Sequence, residues 1–334
     1  MTYKNIFKGE KAIFDYLTPG AMGPTAIVEL PSRLNPYLKD GVRIYIKMAQ
    51  SVPLANIKSL PSWYMLDAIP KKELGKIKNL VEYSSGNTVM SLAVLSRHFG
   101  IPKMHAVITP DVPKNKQNLL RLLGARLIIS DGPPSPDVHG KVGGIWDAGE
   151  MGKKPGWKNL NQYINPQNPK ASGEIIGREV WKQMGSKVDI LSVSLGTGGT
   201  VVGVGSYLKK RIPNLYVLAT SIKRGSAIPG PRGEDAVKKL GLPWEKIADL
   251  ELPIASRPAF LMSLRLVREG IFVGPSTGMQ LAGVLQTVRR MKKEKGFPAR
   301  KKKKPINALI IACDTMFPYI EDYFSVLPDQ LKDK

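Results

Sequence analysis

The chain is short of the side chains from which covalent staples and metal centres are built. It has one cysteine, Cys313, and three histidines, His98, His105 and His139, in 334 residues. A disulfide framework within the chain and a cysteine-rich metal site are both excluded, and a reducing compartment, the cytoplasm, is the expected home. Long apolar runs are also missing. Nothing approaches the roughly 18 residues of a membrane span. The opening stretch MTYKNIFKGEKAIFDYL scatters lysines where a signal peptide carries a continuous apolar core. Acidic residues are few, 27 against 50 Lys and Arg, which gives a net charge of +23 at pH 7. The excess is spread along the chain. Its one dense block, RKKKK at 300–304, sits between Pro298 and Pro305 and reads as an exposed loop. Such a field draws anionic small molecules, and nucleic acid is not an expected partner on charge alone.

What remains is ordinary for a globular protein: 43% hydrophobic and 23% charged residues, in a chain long enough for one large or two medium domains. Apolar segments of strand length alternate with helical patterns. TAIVEL (25–30), VRIYIKM (42–48), MHAVI (104–108), RLIIS (126–130), the run from Ile190, YVLAT (216–220) and NALIIA (307–312) read as strands. Between them SLAVLSRHF, NLLRLLG, EIIGREVWKQM and TGMQLAGVLQTVRRMKK read as helices, with Ile176, Val180 and Met184 spaced for one buried face. This alternation predicts parallel sheets covered by helices on both sides. Residues 131–170, rich in Gly, Pro and Asn, read as a long connection, and 221–258 as a mobile segment over a site.

Four stretches fall just past predicted strands or beside apolar runs, where an open parallel sheet places ligands. The first is ILSVSLGTGGTVVGVGSYLKK at 190–210. There a buried strand enters a turn of Gly196, Thr197, Gly198, Gly199 and Thr200 and then a helix, so main-chain amides at the helix start can meet a phosphate. The same turn also serves simple packing. The second is VEYSSGNTVMSLAVL, where Ser84, Ser85, Gly86, Asn87 and Thr88 open a helix and can hold a carboxylate or merely cap it. The third is Lys58, behind the apolar residues of VPLANIKSLPSW. Desolvation there lowers a lysine's pKa and makes it a competent nucleophilic amine. The fourth is Thr315, whose hydroxyl follows the last strand.

The order of these stretches resembles the pyridoxal-phosphate enzymes of the tryptophan synthase β type, and most closely the cysteine synthase and cystathionine β-synthase family, over roughly residues 20–325. SSGNT stands for the family's TSGNT, and GTGGT is shared unchanged. NQYINPQNPKASGEIIGREVWKQM and LVREGIFVGPSTGMQLAGVL are similar to two further family segments. The resemblance implies a fold type II, three-layer αβα architecture: a two-domain α/β fold with open twisted parallel sheets. The smaller domain would span 40–155 and the larger one 1–39 with 156–334, in a homodimer. It implies pyridoxal 5'-phosphate as cofactor. Lys58 falls on the Schiff-base lysine and Asn87 on the asparagine that bonds the cofactor's ring oxygen. Gly196, Thr197, Gly198, Gly199 and Thr200 would hold its phosphate, and Thr315 would stand beside its ring nitrogen. Ser84, Ser85, Gly86, Thr88 and Gln162 would face the substrate.

The implied activity is β-elimination and β-replacement through an aminoacrylate, on O-acetylserine or O-phosphoserine, with a thiol or sulfide adding at Cβ. A serine or threonine dehydratase, a cysteine desulfhydrase and a non-catalytic cofactor-binding homologue are the alternatives. Where the family carries Asp-Arg after its lysine, this chain has Ser59 and Leu60, which removes an ion pair at the helix start. Lys223, Arg224 and Arg232 are candidates for holding an acidic leaving group.

Overall fold

A computed structural model describes residues 6–132, 137–293 and 305–332. The basic block at 300–304 lies outside them. Among the described residues ten strands form two sheets: β1 (Ile27–Glu29), β2 (Val42–Lys47), β3 (Asn79–Tyr83), β4 (Lys103–Ile108), β5 (Ala125–Ile129), β6 (Trp157–Asn159), β7 (Ile190–Ser194), β8 (Tyr216–Ile222), β9 (Leu250–Ile254) and β10 (Ile306–Ile311). The larger sheet runs β1-β2-β10-β7-β8-β9 and the smaller runs β5-β4-β3-β6. Every pairing is parallel except β1 with β2.

Both sheets are covered on their two faces, as parallel strands require. On one face of the larger sheet Leu191, Val193 and Leu309 meet Ile176, Val180 and Val204 from the helical segments after 167 and 199. On its other face Ile44, Ile46 and Ile310 meet Leu281, Val284 and Val288 of the helix Pro275–Lys293. The smaller sheet buries Leu80, Met104 and Ala106 beneath Leu92 and Leu95 of the helix Asn87–His98. Its reverse face holds Val81 and Val107 against Ile145 and Ala148 of the helix Gly144–Gly152. Each fully buried Leu, Ile or Val contributes about 1.5–3 kcal/mol of transfer free energy. The architecture is α/β with open parallel sheets, three layers deep on each side.

Four sequence expectations shift. β2 hydrogen-bonds into the larger sheet although it lies past residue 40, because its Ile44 and Ile46 fill that sheet's core. Conversely the early helix Ala12–Leu17 packs on the smaller sheet's core, where Phe14 meets Trp63 and Phe99 at ring separations of 4.7 and 5.6 Å. The stretch 131–170 is more than a connection, since it carries a nine-residue helix and β6, which pairs with β3. Likewise 221–258 contains β9, an edge strand of the larger sheet. Gly, Pro and Asn there mark turns between short elements and hide the elements themselves.

Candidate active site

The carboxyl ends of β3, β4, β7 and β8 face one cleft between the sheets, and a cavity of about 350 Å³ lies there. That volume suits a small-molecule site. Lys58, Ser84, Ser85, Gly86, Asn87, Thr88, Gln162, Gly196 and Thr197 all line it. Gly198, Gly199, Thr200 and Thr315 are not on its wall.

Lys58 precedes the helix Ser59–Asp67, which starts without the family's ion pair. Ser59 instead donates its hydroxyl to the Asn56 carbonyl at 2.9 Å, and Leu60 is buried in the core. The approach to Lys58 is unusual: Leu54 and Ala55 have φ of 69° and 53°, a left-handed turn that costs non-glycine residues of order 1 kcal/mol each. The turn is held by the Asn56 side chain, which donates to the Leu54 carbonyl at 2.7 Å and accepts from Ser91 at 3.0 Å. The Ile57 amide then donates to the Cys313 carbonyl at 2.7 Å, fastening the lysine to the end of β10. Lys58 Nζ reaches 3.4 Å from Thr197 Oγ1 in the glycine turn, 139 residues further on. Burial lowers the lysine's pKa and the Arg232 cation lowers it further, while the neighbouring Cys313 thiol opposes them.

The glycine turn is placed by close packing. The strand β7 ends at Ser194, Gly198 adopts φ of 84°, and Val202 N–H donates to the Gly198 carbonyl at 2.9 Å to start the helix. A Cβ on Gly199 would overlap the Asn168 carboxamide, and one on Gly203 would overlap the Pro169 carbonyl. The segments Gly173–Gly177 and Val201–Gly205 are both π-helical and meet backbone to backbone. Asn168 Nδ2 donates to Thr197 Oγ1 at 2.9 Å, so that oxygen is already an acceptor and the hydroxyl's own hydrogen is directed elsewhere.

Opposite lies the turn after β3. Ser84 Oγ accepts from Gly86 N–H at 3.2 Å, and Thr88 Oγ1 donates to Gln162 Oε1 at 2.6 Å. Gln162 is fixed from behind: its amide and that of Asn161 donate to the buried carboxyl of Glu82 at 3.3 and 3.0 Å. Burial pushes the Glu82 pKa up to about 8 against the pull of those two amides. Asn87 Nδ2 donates to Asp314 Oδ2 at 2.6 Å, and Tyr319 O–H donates to the same oxygen at 2.6 Å.

Of the three cations expected near an acidic leaving group, Lys223 is exposed and Arg224 is spent on a surface ion pair with Asp235. Arg232 alone reaches the cavity, donating to Tyr163 O–H at 2.5 Å, with its guanidinium 6.0 Å from the Tyr83 ring centroid. Sequence reasoning missed Glu82, Asp314 and Tyr163. A charge inside the apolar run of β3 is a signal for the first, and an acid directly after β10 is one for the second.

The profile of the family described as "Pyridoxal-phosphate dependent enzyme" matches residues 19–298. The chain belongs to the pyridoxal-phosphate-dependent enzymes. Among its relatives are Cysteine synthase B of Escherichia coli (strain K12), 29% identical over 80% of this chain and 86% of that protein, and Cysteine synthase of Aquifex aeolicus (strain VF5), 28% identical over 82% and 84%. Its fold is similar to that of O-ureido-L-serine-bound O-ureido-L-serine synthase, with a TM-score of 0.77 at 25% identity over 96% of this chain and 94% of that one. The cysteine synthase of Entamoeba histolytica superposes with a TM-score of 0.77 at 23% identity, over 100% and 94%. The residues present fit the cofactor of this pyridoxal-phosphate-dependent enzyme. An enclosed amine of lowered pKa stands beside the first two residues of the glycine turn, on the wall of a cavity of small-molecule size.

Proposed function

We propose that this pyridoxal-phosphate-dependent enzyme performs β-replacement on a serine-type amino acid with an activated Cβ, O-acetylserine or O-phosphoserine, with a thiol or sulfide as nucleophile. The relatives named cysteine synthase and O-ureido-L-serine synthase support this class of reaction. The observation that carries it is the Lys58 amine, which shares one cavity with the glycine turn and the SSGNT turn.

Lys58 Nζ takes the proton from the substrate's Cα and returns it at the end, and its depressed pKa keeps more of the amine neutral near pH 7. When bound, the cofactor supplies an electron sink for charge developing at Cα. Ser84, Ser85, Gly86 and Thr88 hold the substrate carboxylate, with Gln162 fixed beside them by Thr88. The main-chain amides around Gly196, Thr197, Gly198, Gly199 and Thr200 would hold the cofactor's phosphate. By the family resemblance Asn87 would face its ring oxygen, and Thr315, which lies off the cavity wall, would stand beside its ring nitrogen. Arg232 favours an anionic leaving group. A cytoplasmic homodimer completes the reading.

The test is an absorption spectrum of the purified protein titrated with serine, O-acetylserine, O-phosphoserine and cysteine, with products analysed with and without a thiol. A visible band that responds to one of the activated serines and disappears in Lys58→Ala is expected, with a thiol adduct as product. Loss of Lys58 should cost at least about 10²–10⁴-fold in rate. A ketoacid formed equally well without thiol would assign the protein to elimination instead.

A further inference from the structure

Asp314 is the knot that joins stretches lying far apart in the sequence. Its backbone bridges Asn56, two residues before Lys58, and its carbonyl accepts from Gly274 N–H at 3.0 Å in the GPST segment. Its Oδ2 accepts from both Asn87 Nδ2 and Tyr319 O–H, each at 2.6 Å. Those two donors line the cavity, whereas Asp314 stands directly behind them, 3% exposed. Room for the carboxylate exists only because residue 274 is glycine, since a Cβ there would overlap Asp314 Oδ1.

That second oxygen is the informative one. Asp314 Oδ1 is fully buried and accepts no hydrogen bond among the described residues. A buried acceptor left unmatched costs of order 1–3 kcal/mol, so a carboxylate kept in this state is poor stability design. An asparagine or a leucine would fill the space at less cost. What only an acid does there is accept without donating. An acceptor-only partner settles the orientation of the Asn87 carboxamide, whose two ends are otherwise nearly equivalent in shape: Nδ2 must face Asp314, and the flipped amide would set oxygen against oxygen.

We propose that Asp314 is a positioning residue that locks the Asn87 carboxamide in one orientation toward the cofactor's ring oxygen. The inference rests on the cofactor reading above. It assigns no contact between Asp314 and the cofactor: the acid acts through Asn87, with Tyr319 sharing the oxygen and steadying the carboxylate.

The experiment compares wild type, Asp314→Asn, Asn87→Ala and the double variant, reading the absorption maximum of the bound cofactor and its dissociation constant. Asp314→Asn keeps the shape but admits the flipped amide. It should shift the visible band and weaken cofactor retention about tenfold, the weight of one hydrogen bond to a charged group. In the Asn87→Ala background the same substitution should change neither readout, because the group through which it acts is gone. An unshifted band in Asp314→Asn, or an effect that persists undiminished without Asn87, overturns the proposal. Tyr319→Phe supplies a second arm with the same logic and a smaller expected shift, and it decides the matter if the Asp314 variant does not fold. A wild type with no cofactor band at all would instead refute the underlying assignment, so the two failures are distinguishable.

Discussion

The two walls of the cleft are made differently. The wall on the larger sheet is built from main chain: a glycine turn whose neighbours press so closely that side chains at residues 199 and 203 have no room. The wall on the smaller sheet is built from side chains: Ser84, Asn87, Thr88 and Gln162, each held by one or two hydrogen bonds. Main chain packed backbone to backbone cannot adjust by changing rotamers, whereas hydroxyls and carboxamides can. The first wall suits a group that stays bound, and the second suits one that arrives and leaves.

Three perturbations sharpen this contrast. Gly203→Ala strikes the rigid wall, where the added methyl meets the Pro169 carbonyl, which has no rotamer to yield. A loss of about 1–3 kcal/mol in chemical denaturation is expected, together with weaker cofactor retention. A fully tolerated alanine would mean that the wall is softer than its packing implies. Thr88→Val strikes the adjustable wall and removes the 2.6 Å bond to Gln162. It should raise KM for the amino acid roughly tenfold and leave the cofactor band in place, about the weight of one buried hydrogen bond. Equal damage to cofactor binding would erase the distinction between the walls.

The third perturbation lies behind the adjustable wall and is read as a dependence on pH. Glu82, pushed by burial from 4.5 to about 8, binds its proton more tightly in the folded protein than in the unfolded chain. Its contribution to stability is therefore full below about pH 4.5 and is lost as pH rises through about 8. Glu82→Gln cannot titrate. Denaturation midpoints for the variant should gain on wild type steadily across that interval, and parallel curves would show the carboxyl to be ionised throughout.

Much of this was legible in the residues. The sheet-and-helix rhythm was visible because parallel strands buried on both faces are continuous apolar runs, as in β7 and β10. Lys58 stands out in the sequence by the order of the motifs and, more weakly, by the apolar residues before it; the left-handed turn that aims it runs through Leu54 and Ala55, which advertise no such geometry. β6 and β9 were hidden by the prolines and glycines around them. Arg232 was indistinguishable from Arg224 in sequence, because its selection depends on the 229–232 segment lying against β7, where Arg232 N–H donates to the Leu195 carbonyl at 2.7 Å. Asp314 was overshadowed by Thr315, its neighbour, since a strand's end aims adjacent residues in opposite directions.

The path of the chain past the cavity has a mechanical consequence. The helix Ala12–Leu17 belongs to one half, β1 and β2 to the other, 59–159 to the first again, and the described elements after 167 to the second. Peptide therefore spans the gap in three places, and no single cut would release either half. Any relative movement of the two halves is therefore shared among three crossings, where a single connection would take it up alone.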